Sequence, residues 1–469
     1  MSKEKFGADP EAILEDPSGV EPVLLGKQGA HDAVFGELTE SGPNYRNVGW
    51  LGTTALMMKT QIGLGILSMP SIFDTLGIIP GIILLLAVSS VTTWSDWMVG
   101  VFKQRHPEVY GIDDVGRLLF GRLGYEVFGA AFCLLYTFVS GSAILSISIA
   151  FNALSTHAIC TAIFVVIAAI IGFLFSSIQT LGRISWLAWV GAFCIIVSVF
   201  VVAIGVGIQG HALGAEGAIL KSDYKVVNDP SFVDAISAIS TLVFTYSGAP
   251  AFFNIVAEMR EPRLYTRALL VCQATVTVIY IAIATVVYYY CGSHVASPAL
   301  GSAGPILKKV AYGIALPGLV VSAALFIHLS AKHIFVRLLR GSRHLATNTP
   351  IHWITWIGCT ATITSVAYLI ASGIPVFDTL VSLIGALLGT FLSFQPMGGM
   401  WLYDNWKVDT AAQTLSWKVG VVWSIFIIMS GTFLMIAGTY GSIVSIIDSY
   451  EQSRGSVRAW SCVDNSGSR

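Results

Sequence analysis

Charged residues are scarce in this 469-residue chain. They make up 11% of it, whereas hydrophobic residues make up 55%. An ordinary soluble domain carries roughly 25% charged residues. This composition excludes an ordinary soluble protein and predicts a polytopic membrane protein. The formal net charge is −1 and there is no basic run, so the sequence gives no indication of nucleic-acid binding.

The chain also lacks cysteine pairs with the spacing of a metal or redox site. Its seven cysteines contain no C-x-x-C pair, and most lie in apolar segments. Cysteines in apolar segments usually serve as small residues of the core. We therefore expect no metal site and no cofactor. A disulfide between Cys160 and Cys291, both predicted near the outer face, is one possibility.

A cleavable signal peptide is missing as well. The first apolar run begins near Gly49, after a tail of 47 residues that holds nine acidic and four basic residues. That tail is too long and too acidic for the charged start of a signal peptide. Residues 1–47 are predicted to be a flexible cytosolic segment. Disorder without function and a regulatory role both remain open for it.

Apolar windows of about 20 residues, the length that crosses a bilayer as a helix, can be counted along the rest of the chain. There are eleven, at about 50–74, 78–101, 124–150, 158–178, 184–208, 233–256, 266–292, 308–332, 352–372, 376–399 and 417–441. Residues 48–441 thus form one predicted transmembrane domain. Residues 442–469 form a polar C-terminal tail.

The distribution of basic residues predicts the orientation. With the N-terminus inside, the inner connections hold fourteen lysines and arginines and the outer ones four. Basic residues near span ends are retained on the cytoplasmic side. The N-terminus is therefore predicted inside and, with eleven spans, the C-terminus outside. The plasma membrane is favoured over the vacuolar membrane as the location.

The first span is interrupted. Between Met57 and Pro70 it carries Lys59, Gly63 and Gly65. A helix breaks at membrane depth only where its backbone lines a cavity or is buried in protein. A lysine facing lipid is costly, so Lys59 is expected to point into the bundle. The alternative is a glycine-kinked packing helix in which Lys59 reaches the cytosolic interface.

The sixth span has a similar interruption, at Gly248 and Pro250. Five spans followed by five spans, each half opening with a broken helix, indicate an inverted-repeat transporter that binds its substrate near the midplane. Repeat one would cover about 50–208 and repeat two about 233–399. The span at 417–441 lies outside the repeat.

The two breaks supply the predicted binding site. Freed N–H groups in the first break, beside the positive end of the following half-helix, can hold a carboxylate, and freed carbonyl groups in the second can accept hydrogen bonds from an ammonium group. Nearby aromatic side chains can form an apolar pocket, although ordinary packing is the favoured explanation for any one of them. The predicted substrate-binding residues are Ile62, Gly63, Leu64, Gly65, Ile66, Phe244, Thr245, Tyr246, Ser247, Gly248 and Tyr136.

Other polar residues in the spans are candidates for coupling and gating. His328 and Lys332 lie four residues apart, hence on one helical face, and a histidine can relay protons. A structural role for His328 is the alternative. Asp96, beside Trp94 and Trp97, is expected in an interfacial belt. The coupling candidates are Lys59, His328 and Ser330, and the gating or hinge candidates are Pro70, Pro250 and Glu258.

Three motifs resemble one known family. Gly63 to Pro70 resembles the G-x-G-I-L-x-L-P motif that opens the amino acid/auxin permeases, Glu258 to Pro262 resembles their E-M-K/R-x-P element, and His328 matches a histidine seen in span eight of many relatives. The resemblance extends over about residues 47–440. The lead-in from Met58 to Gln61 is most similar to fungal neutral amino acid permeases.

This resemblance implies an amino acid symporter with an all-α, LeuT-like fold of 5+5 inverted repeats plus an eleventh helix. Sodium-coupled relatives carry an asparagine where this chain has Lys59. A fixed ammonium would repel a sodium ion there, so proton coupling and no cofactor besides the proton are expected. The similarity to neutral amino acid permeases, with the aromatic residues near the second break, implies import of neutral, large aliphatic or aromatic amino acids. A sodium-coupled transporter and a nutrient sensor that shares the fold remain alternatives. An enzyme is not expected, because catalytic clusters at span ends are missing.

Overall fold

A computed structural model describes residues 31–32, 36–37, 47–178, 181–209, 212–213, 219–345, 347–374, 377–406, 414–452 and 460–466. Most of the predicted N-terminal tail lies outside these residues, and so does Lys407. Apart from two pairs of two-residue strands, β1 (His31–Asp32) with β2 (Gly36–Glu37) and β3 (Ala212–Leu213) with β4 (Ile219–Leu220), the regular structure that is described is helical.

Fifteen α-helices follow one another along these described residues. They are α1 (Trp50–Gln61), α2 (Gly65–Leu76), α3 (Ile78–Arg105), α4 (Ile112–Ser155), α5 (Thr161–Ser176), α6 (Leu181–Gln209), α7 (Phe232–Tyr246), α8 (Ala249–Ala257), α9 (Tyr265–Cys291), α10 (Pro305–Leu339), α11 (Pro350–Gly373), α12 (Phe377–Ile384), α13 (Thr390–Ser393), α14 (Gln395–Asn405) and α15 (Leu415–Gln452). A π-helical turn, Gly385–Gly389, joins α12 to α13.

Nine helical segments of the described chain are long and apolar enough to cross a membrane. They correspond to nine of the eleven predicted spans. The other two spans are the interrupted pair α1 and α2 and the 16-residue helix α5. Two boundaries differ from the predictions by more than ten residues. Helix α4 begins at Ile112 and is kinked at Gly121, where φ is 66°, and α15 continues past residue 441 to Gln452.

Both predicted interruptions occur in the structure. Helix α1 ends at Gln61 because Ile62 leaves the helical region, with ψ at 36°. Helix α7 ends at Tyr246, and Pro250 occupies the first turn of α8. Proline has no N–H group and its ring clashes with the preceding turn, so α8 cannot simply continue α7. Each span is thereby divided into two half-helices.

Helix packing separates two groups of elements. Helices α4, α5, α10 and α11 pack on one another, whereas α9 packs against α1, α2 and α3, and α2 packs against α7. Helix α10 also packs extensively against α6, and α15 packs against α7 and α14. The two broken spans therefore lie between helices from both predicted repeats. The division into domains stays a prediction.

A disulfide attaches the C-terminal tail to the membrane domain. Cys160, at the start of α5, is bonded to Cys462, with a Cα–Cα distance of 4.4 Å. The suggested partner Cys291 is instead a buried free thiol, so that pairing was wrong. The hydroxyl of Thr161 also donates to the carbonyl of Val463 at 2.7 Å. The described tail residues thus lie at the same end of the bundle as the connection between α4 and α5.

Candidate substrate site at the two helix breaks

The two breaks are in direct contact. A Cβ atom added at Gly65, the first residue of α2, would lie 2.8 Å from the Cβ and 2.9 Å from the Cα of Thr245 in α7. Carbon atoms do not approach so closely, so only glycine allows α2 and α7 to meet here. The predicted residues from Ile62 to Ile66 are all buried at this contact.

A tyrosine from a third helix joins the ends of the two half-helices. The hydroxyl of Tyr280, on α9, lies 2.7 Å from the carbonyl oxygen of Gln61 and 3.3 Å from that of Thr245. Both carbonyls belong to the last turns of helices that stop at a break, so neither has a full set of helical partners. Sequence reasoning missed Tyr280, because nothing in an apolar span shows which face of α9 meets the breaks.

The half-helices present opposite polarities at the breaks. Helices α1 and α7 end there in carbonyl groups, and α2 and α8 begin there with N–H groups that have no preceding turn to bond to. These ends carry partial negative and partial positive charge respectively. A small molecule that bears both an ammonium and a carboxylate is therefore complementary to the site.

The side chain of Gln61 lies at the same place. It is 1% exposed, and within the described parts of the chain neither its amide nitrogen nor its amide oxygen has a hydrogen-bond partner. A Cβ added at Gly248, in the second break, would lie 3.2 Å from the Gln61 amide nitrogen. Buried polar atoms normally have partners, so this amide is positioned for a polar ligand. The prediction omitted Gln61, although it immediately precedes the break.

Lys59 lies beside the first break. Its side chain is fully buried, and Nζ donates to the hydroxyl of Ser322 on α10 at 2.6 Å. Ser322 in turn donates to the carbonyl of Gly318 at 3.1 Å. Among the described residues Lys59 forms no ion pair within 4 Å. The alternative in which Lys59 reaches the cytosolic interface is therefore wrong.

Gly63 makes room for this lysine contact. A Cβ at Gly63 would lie 2.9 Å from the Ser322 hydroxyl oxygen and 3.6 Å from the Lys59 Nζ. The ammonium is thus within reach of the break itself. Ser322 was not predicted, and Ser330, which was, is buried two turns further along α10.

The three predicted aromatic residues, Tyr136, Tyr246 and Phe244, have different surroundings. Tyr136 is buried on α4, and its ring stacks on Phe326 of α10 with centroids 5.9 Å apart. The hydroxyl of Tyr246 lies 3.1 Å from Thr277 Oγ1 on α9, so its side chain is directed toward that helix. Phe244 is 9% exposed and belongs to the main apolar core.

Ser247 meets the π-helical turn. Its hydroxyl donates to the carbonyl of Val243 at 2.7 Å, and a Cβ at Gly389 would lie 2.6 Å from that hydroxyl oxygen. π-Helical turns occur frequently at functional sites. The second break is therefore lined by the segment that joins α12 to α13 as well as by α2.

The gating candidate Glu258 follows the C-terminal end of α8, where it forms a buried contact. Glu258 and Lys332 form an ion pair in which the side chains are 0% and 2% exposed. The N–H of Val48 donates to the Glu258 carbonyl at 3.2 Å, so the segment that leads into α1 is attached there too. His328 is buried with its ring 5.1 Å from that of Trp356. Pro70 lies inside α2.

Asp96 was expected in an interfacial belt, and this interpretation was wrong. Its side chain is fully buried and accepts a hydrogen bond from Gln273 on α9, whereas the neighbouring Trp97 is 39% exposed. The sequence shows that Trp94, Asp96 and Trp97 are close along the helix. It does not show that the carboxyl faces α9.

A polar cavity of about 250 Å³ lies at the opposite end of α2 from the breaks. The backbone N–H of Ser293 donates to Asp223 at 2.7 Å, and together with the Ser293 hydroxyl it holds the pKa of the Asp223 carboxyl below its ordinary value. This cavity is on the far side of the site from the pair of Glu258 and Lys332. Its lining residues are Asp74, Thr75, Asp223, Lys225, Asn228, Pro230, Asp234, Tyr288 and Ser293.

Comparison with known sequences gives matches over nearly the whole chain. A family model described as transmembrane amino acid transporter protein matches residues 46–444. A protein from Fusarium pseudograminearum named transmembrane transporter is 33% identical over 454 residues, which cover 96% of this chain and 94% of that protein. The N amino acid transport system protein of Neurospora crassa is 29% identical over 460 residues, 97% of each chain.

Comparison with solved structures identifies the fold. A Na⁺-coupled sialic acid symporter in a substrate-bound outward-open state matches with a TM-score of 0.53 at 10% identity, over 86% of this chain and 92% of its own. MHP1, a nucleobase-cation-symport-1 family transporter in a closed conformation, matches with a TM-score of 0.53 at 12% identity, over 92% and 98%. The predicted all-helical, LeuT-like fold is confirmed.

Proposed function

Because the chain belongs to the family of transmembrane amino acid transporter proteins, we propose that it is a proton-coupled symporter that imports neutral, large aliphatic or aromatic amino acids. Transport would proceed by alternating access around a substrate held at the two helix breaks. The observation that carries this proposal is the contact between the breaks at Gly65 and Thr245.

The polarity of the breaks supports an amino acid as substrate. The N–H groups that begin α2 can bind the α-carboxylate, and the carbonyl groups that end α7 can accept from the α-ammonium. The unpartnered amide of Gln61 adds a donor and an acceptor at the same level. The name of the Neurospora crassa relative, N amino acid transport system protein, agrees with this substrate class.

The apolar surroundings support a neutral substrate. Phe244 lies in the last turn of α7, and both Phe244 and Tyr136 are buried. The ammonium of Lys59 lies beside the first break, where it donates to Ser322, so a cationic substrate side chain would be buried close to a like charge. A large apolar or aromatic side chain avoids that cost.

The position of Lys59 supports protons rather than sodium ions as the coupling ion. Its ammonium lies between α1 and α10 beside the break. A sodium ion placed there would be repelled by the fixed charge. A lysine held in a dry site can instead gain and lose a proton as water enters and leaves. Proton binding and substrate binding would then favour the same closed state.

The rest of the bundle supports alternating access from the outside. The buried pair of Glu258 and Lys332 closes one end of the path, and the polar cavity around Asp74 and Asp223 lies at the other. We place the closed end in the cytosol and the cavity outside, at the plasma membrane. The disulfide of Cys160 with Cys462 supports an outer location for the C-terminal tail, because disulfides persist in oxidising surroundings.

Uptake of labelled amino acids by a permease-deficient host tests this function. Competition with all twenty amino acids should show preference for large neutral ones, and uptake should survive sodium removal and collapse with a protonophore. Uptake that scales with external sodium at fixed pH would contradict proton coupling. Deleting residues 1–40 separates a transporter, which keeps its uptake, from a sensor, which loses signalling and takes up nothing in either form.

A further inference from the structure

We propose that Asp96 is a second proton-binding group of the transport cycle, distinct from Lys59 and connected to the substrate site along α9. The inference rests on the proposed function, because it assigns the carboxyl a role in proton-coupled transport.

Asp96 presents one bonded and one unbonded carboxyl oxygen. Its side chain is fully buried, and the Gln273 amide nitrogen donates to Oδ2 at 2.5 Å. Within the described residues Oδ1 has no hydrogen-bond partner. A deprotonated carboxylate needs several donors when buried. The site supplies one, which leaves the second oxygen available to carry a proton.

Two further features on α3 and α9 build the site. The hydroxyl of Tyr265 donates to the backbone carbonyl of Asp96 at 2.7 Å. Gly100 lies one turn away from Asp96, and a Cβ there would be 2.2 Å from the Tyr265 ring. Glycine at residue 100 therefore allows the ring to lie against α3. This packing fixes the register that brings Gln273 to the carboxyl.

No cation compensates the carboxyl within the described residues. The titratable groups that interact electrostatically with it are Tyr265 and Cys272 on α9 and Tyr136 on α4, and none of them is a cation. Helix α8, which also packs on α3, carries no charged side chain between Ala249 and Ala257.

The nearest basic residues of α3 are engaged elsewhere. Lys103 donates to the carbonyl of Pro107 at 2.6 Å, and Arg105 is paired with Asp404 of α14. An isolated carboxylate in a dry interior is strongly disfavoured relative to its neutral form. Asp96 therefore holds a proton while the site is closed.

A row of polar side chains on α9 leads from Asp96 to the breaks. Gln273, Thr277 and Tyr280 follow at intervals of four and three residues, so they share one helical face. Thr277 Oγ1 lies 2.8 Å from the Ser89 hydroxyl oxygen and 3.1 Å from that of Tyr246. Tyr280 reaches the carbonyls at both breaks. Side chains on this face of α9 therefore contact both the carboxyl of Asp96 and the helix breaks.

The proton step is balanced by water alone. A proton from outside bonds to the carboxylate of Asp96. The carboxyl stays neutral while the bundle closes around the substrate. When the inner end of the bundle opens, water solvates the carboxyl, the O–H bond breaks and the proton leaves to the cytosol. The carboxylate is thus regenerated in contact with water, and it binds the next proton when the outer end of the bundle opens again.

Purified protein in liposomes tests the inference with Asp96→Asn, which mimics the neutral carboxyl. The measurements are labelled substrate exchange at equal pH and proton influx with uptake, followed by an internal pH dye. We expect exchange within about twofold of wild type, because a permanently neutral site still closes, and loss of gradient-driven accumulation. Asp96→Asn with wild-type proton influx per substrate would overturn the inference.

Two further variants keep the result interpretable if Asp96→Asn does not fold. Gln273→Leu removes the donor that stabilises the charged carboxylate, so the midpoint of uptake against pH should rise by about one pH unit. An unchanged midpoint would overturn the inference. Thr92→Val is the matched control, because it lies one turn from Asp96 and its hydroxyl bonds to the backbone of its own helix. It should keep wild-type coupling.

The proposed function can fail separately. Wild-type protein that neither accumulates nor exchanges any amino acid would overturn the proposed function and this inference with it. Wild-type protein with proton-driven accumulation, together with a fully coupled Asp96→Asn variant, would overturn the assignment of Asp96 alone.

Discussion

The ammonium of Lys59 lies 2.6 Å from the hydroxyl oxygen of Ser322, across the contact between α1 and α10. One residue belongs to a helix that stops at the substrate site, and the other belongs to a long continuous helix. Their hydrogen bond therefore links the broken first span to a helix that continues without a break from Pro305 to Leu339. It also lies where a change in charge at Lys59 would act on both.

The first prediction concerns this lysine. Lys59→Asn should reduce the response of uptake to an inward proton gradient, because the proposed proton-binding amine beside the break is lost. The measurement is initial uptake at two external pH values with and without a protonophore. Lys309→Ala is the control, since Lys309 lies on the surface and bonds to Thr156. Unaltered proton dependence in Lys59→Asn would exclude Lys59 from coupling.

The second prediction concerns the contact between the breaks. Gly65→Val should reduce uptake to background, because its Cβ would overlap Thr245 of α7. Uptake and surface biotinylation should be measured together. Gly49→Ala is the control, because nothing lies within 4 Å of a Cβ at that position. Normal transport by Gly65→Val at normal surface level would refute the site assignment.

The third prediction concerns Tyr280. Tyr280→Phe should lower stability by about 1–3 kcal/mol, because the carbonyls of Gln61 and Thr245 lose a buried donor. It should also weaken substrate affinity, since the positions of both half-helix ends depend on that hydroxyl. Thermal unfolding and the apparent KM of uptake measure the two effects. Tyr289→Phe, at a 44% exposed position, is the control and should change neither quantity. If Tyr280→Phe also changed neither, the Tyr280 hydroxyl would not hold the two half-helix ends in place.

The fourth prediction concerns the buried ion pair. Glu258→Ala should destabilise the protein by about 3–5 kcal/mol, because it leaves the Lys332 charge in a buried position without its carboxylate. Glu126→Ala should cost at most about 1 kcal/mol, since Glu126 pairs with Arg337 at the surface. Thermal unfolding in detergent compares the two. Equal effects would mean that the inner contact contributes no more than a surface pair.

The fifth prediction concerns the C-terminal tail. Cys160→Ser and Cys462→Ser should each lower stability by about 2–5 kcal/mol, and the double variant should cost no more than either, because both remove one bond. An impermeant maleimide should label the cysteine that remains in either variant from outside. Additive losses, or labelling from inside only, would contradict the disulfide or the proposed orientation.

The sequence was informative where a single residue type decides local structure. Glycines and prolines inside apolar spans located both breaks, since glycine allows close backbone approach and proline removes a helical hydrogen bond. Hydropathy predicted the number of spans, because an apolar window of spanning length is recognised without knowing which helices pack against it. Helix ends were less accurate, because α15 runs to Gln452 through polar residues that hydropathy excludes.

Contacts between distant residues could not be predicted in this way. Lys59 and Ser322 are separated by 263 positions, and Cys160 and Cys462 by 302. The pattern of one span does not show which helix each face meets. Asp96 illustrates the consequence, because its neighbours Trp94 and Trp97 suggested an interface while the carboxyl packs on α9. The residues that line the candidate site are therefore determined by helix packing as much as by sequence motifs.

Accumulation of a labelled large neutral amino acid by purified protein in liposomes tests the central claim most directly. With an inward proton gradient and no sodium, we expect accumulation above the external concentration, loss of that accumulation with a protonophore, and none with Gly65→Val. Accumulation that requires sodium, or the same accumulation with Gly65→Val, would contradict proton-coupled transport at the paired helix breaks.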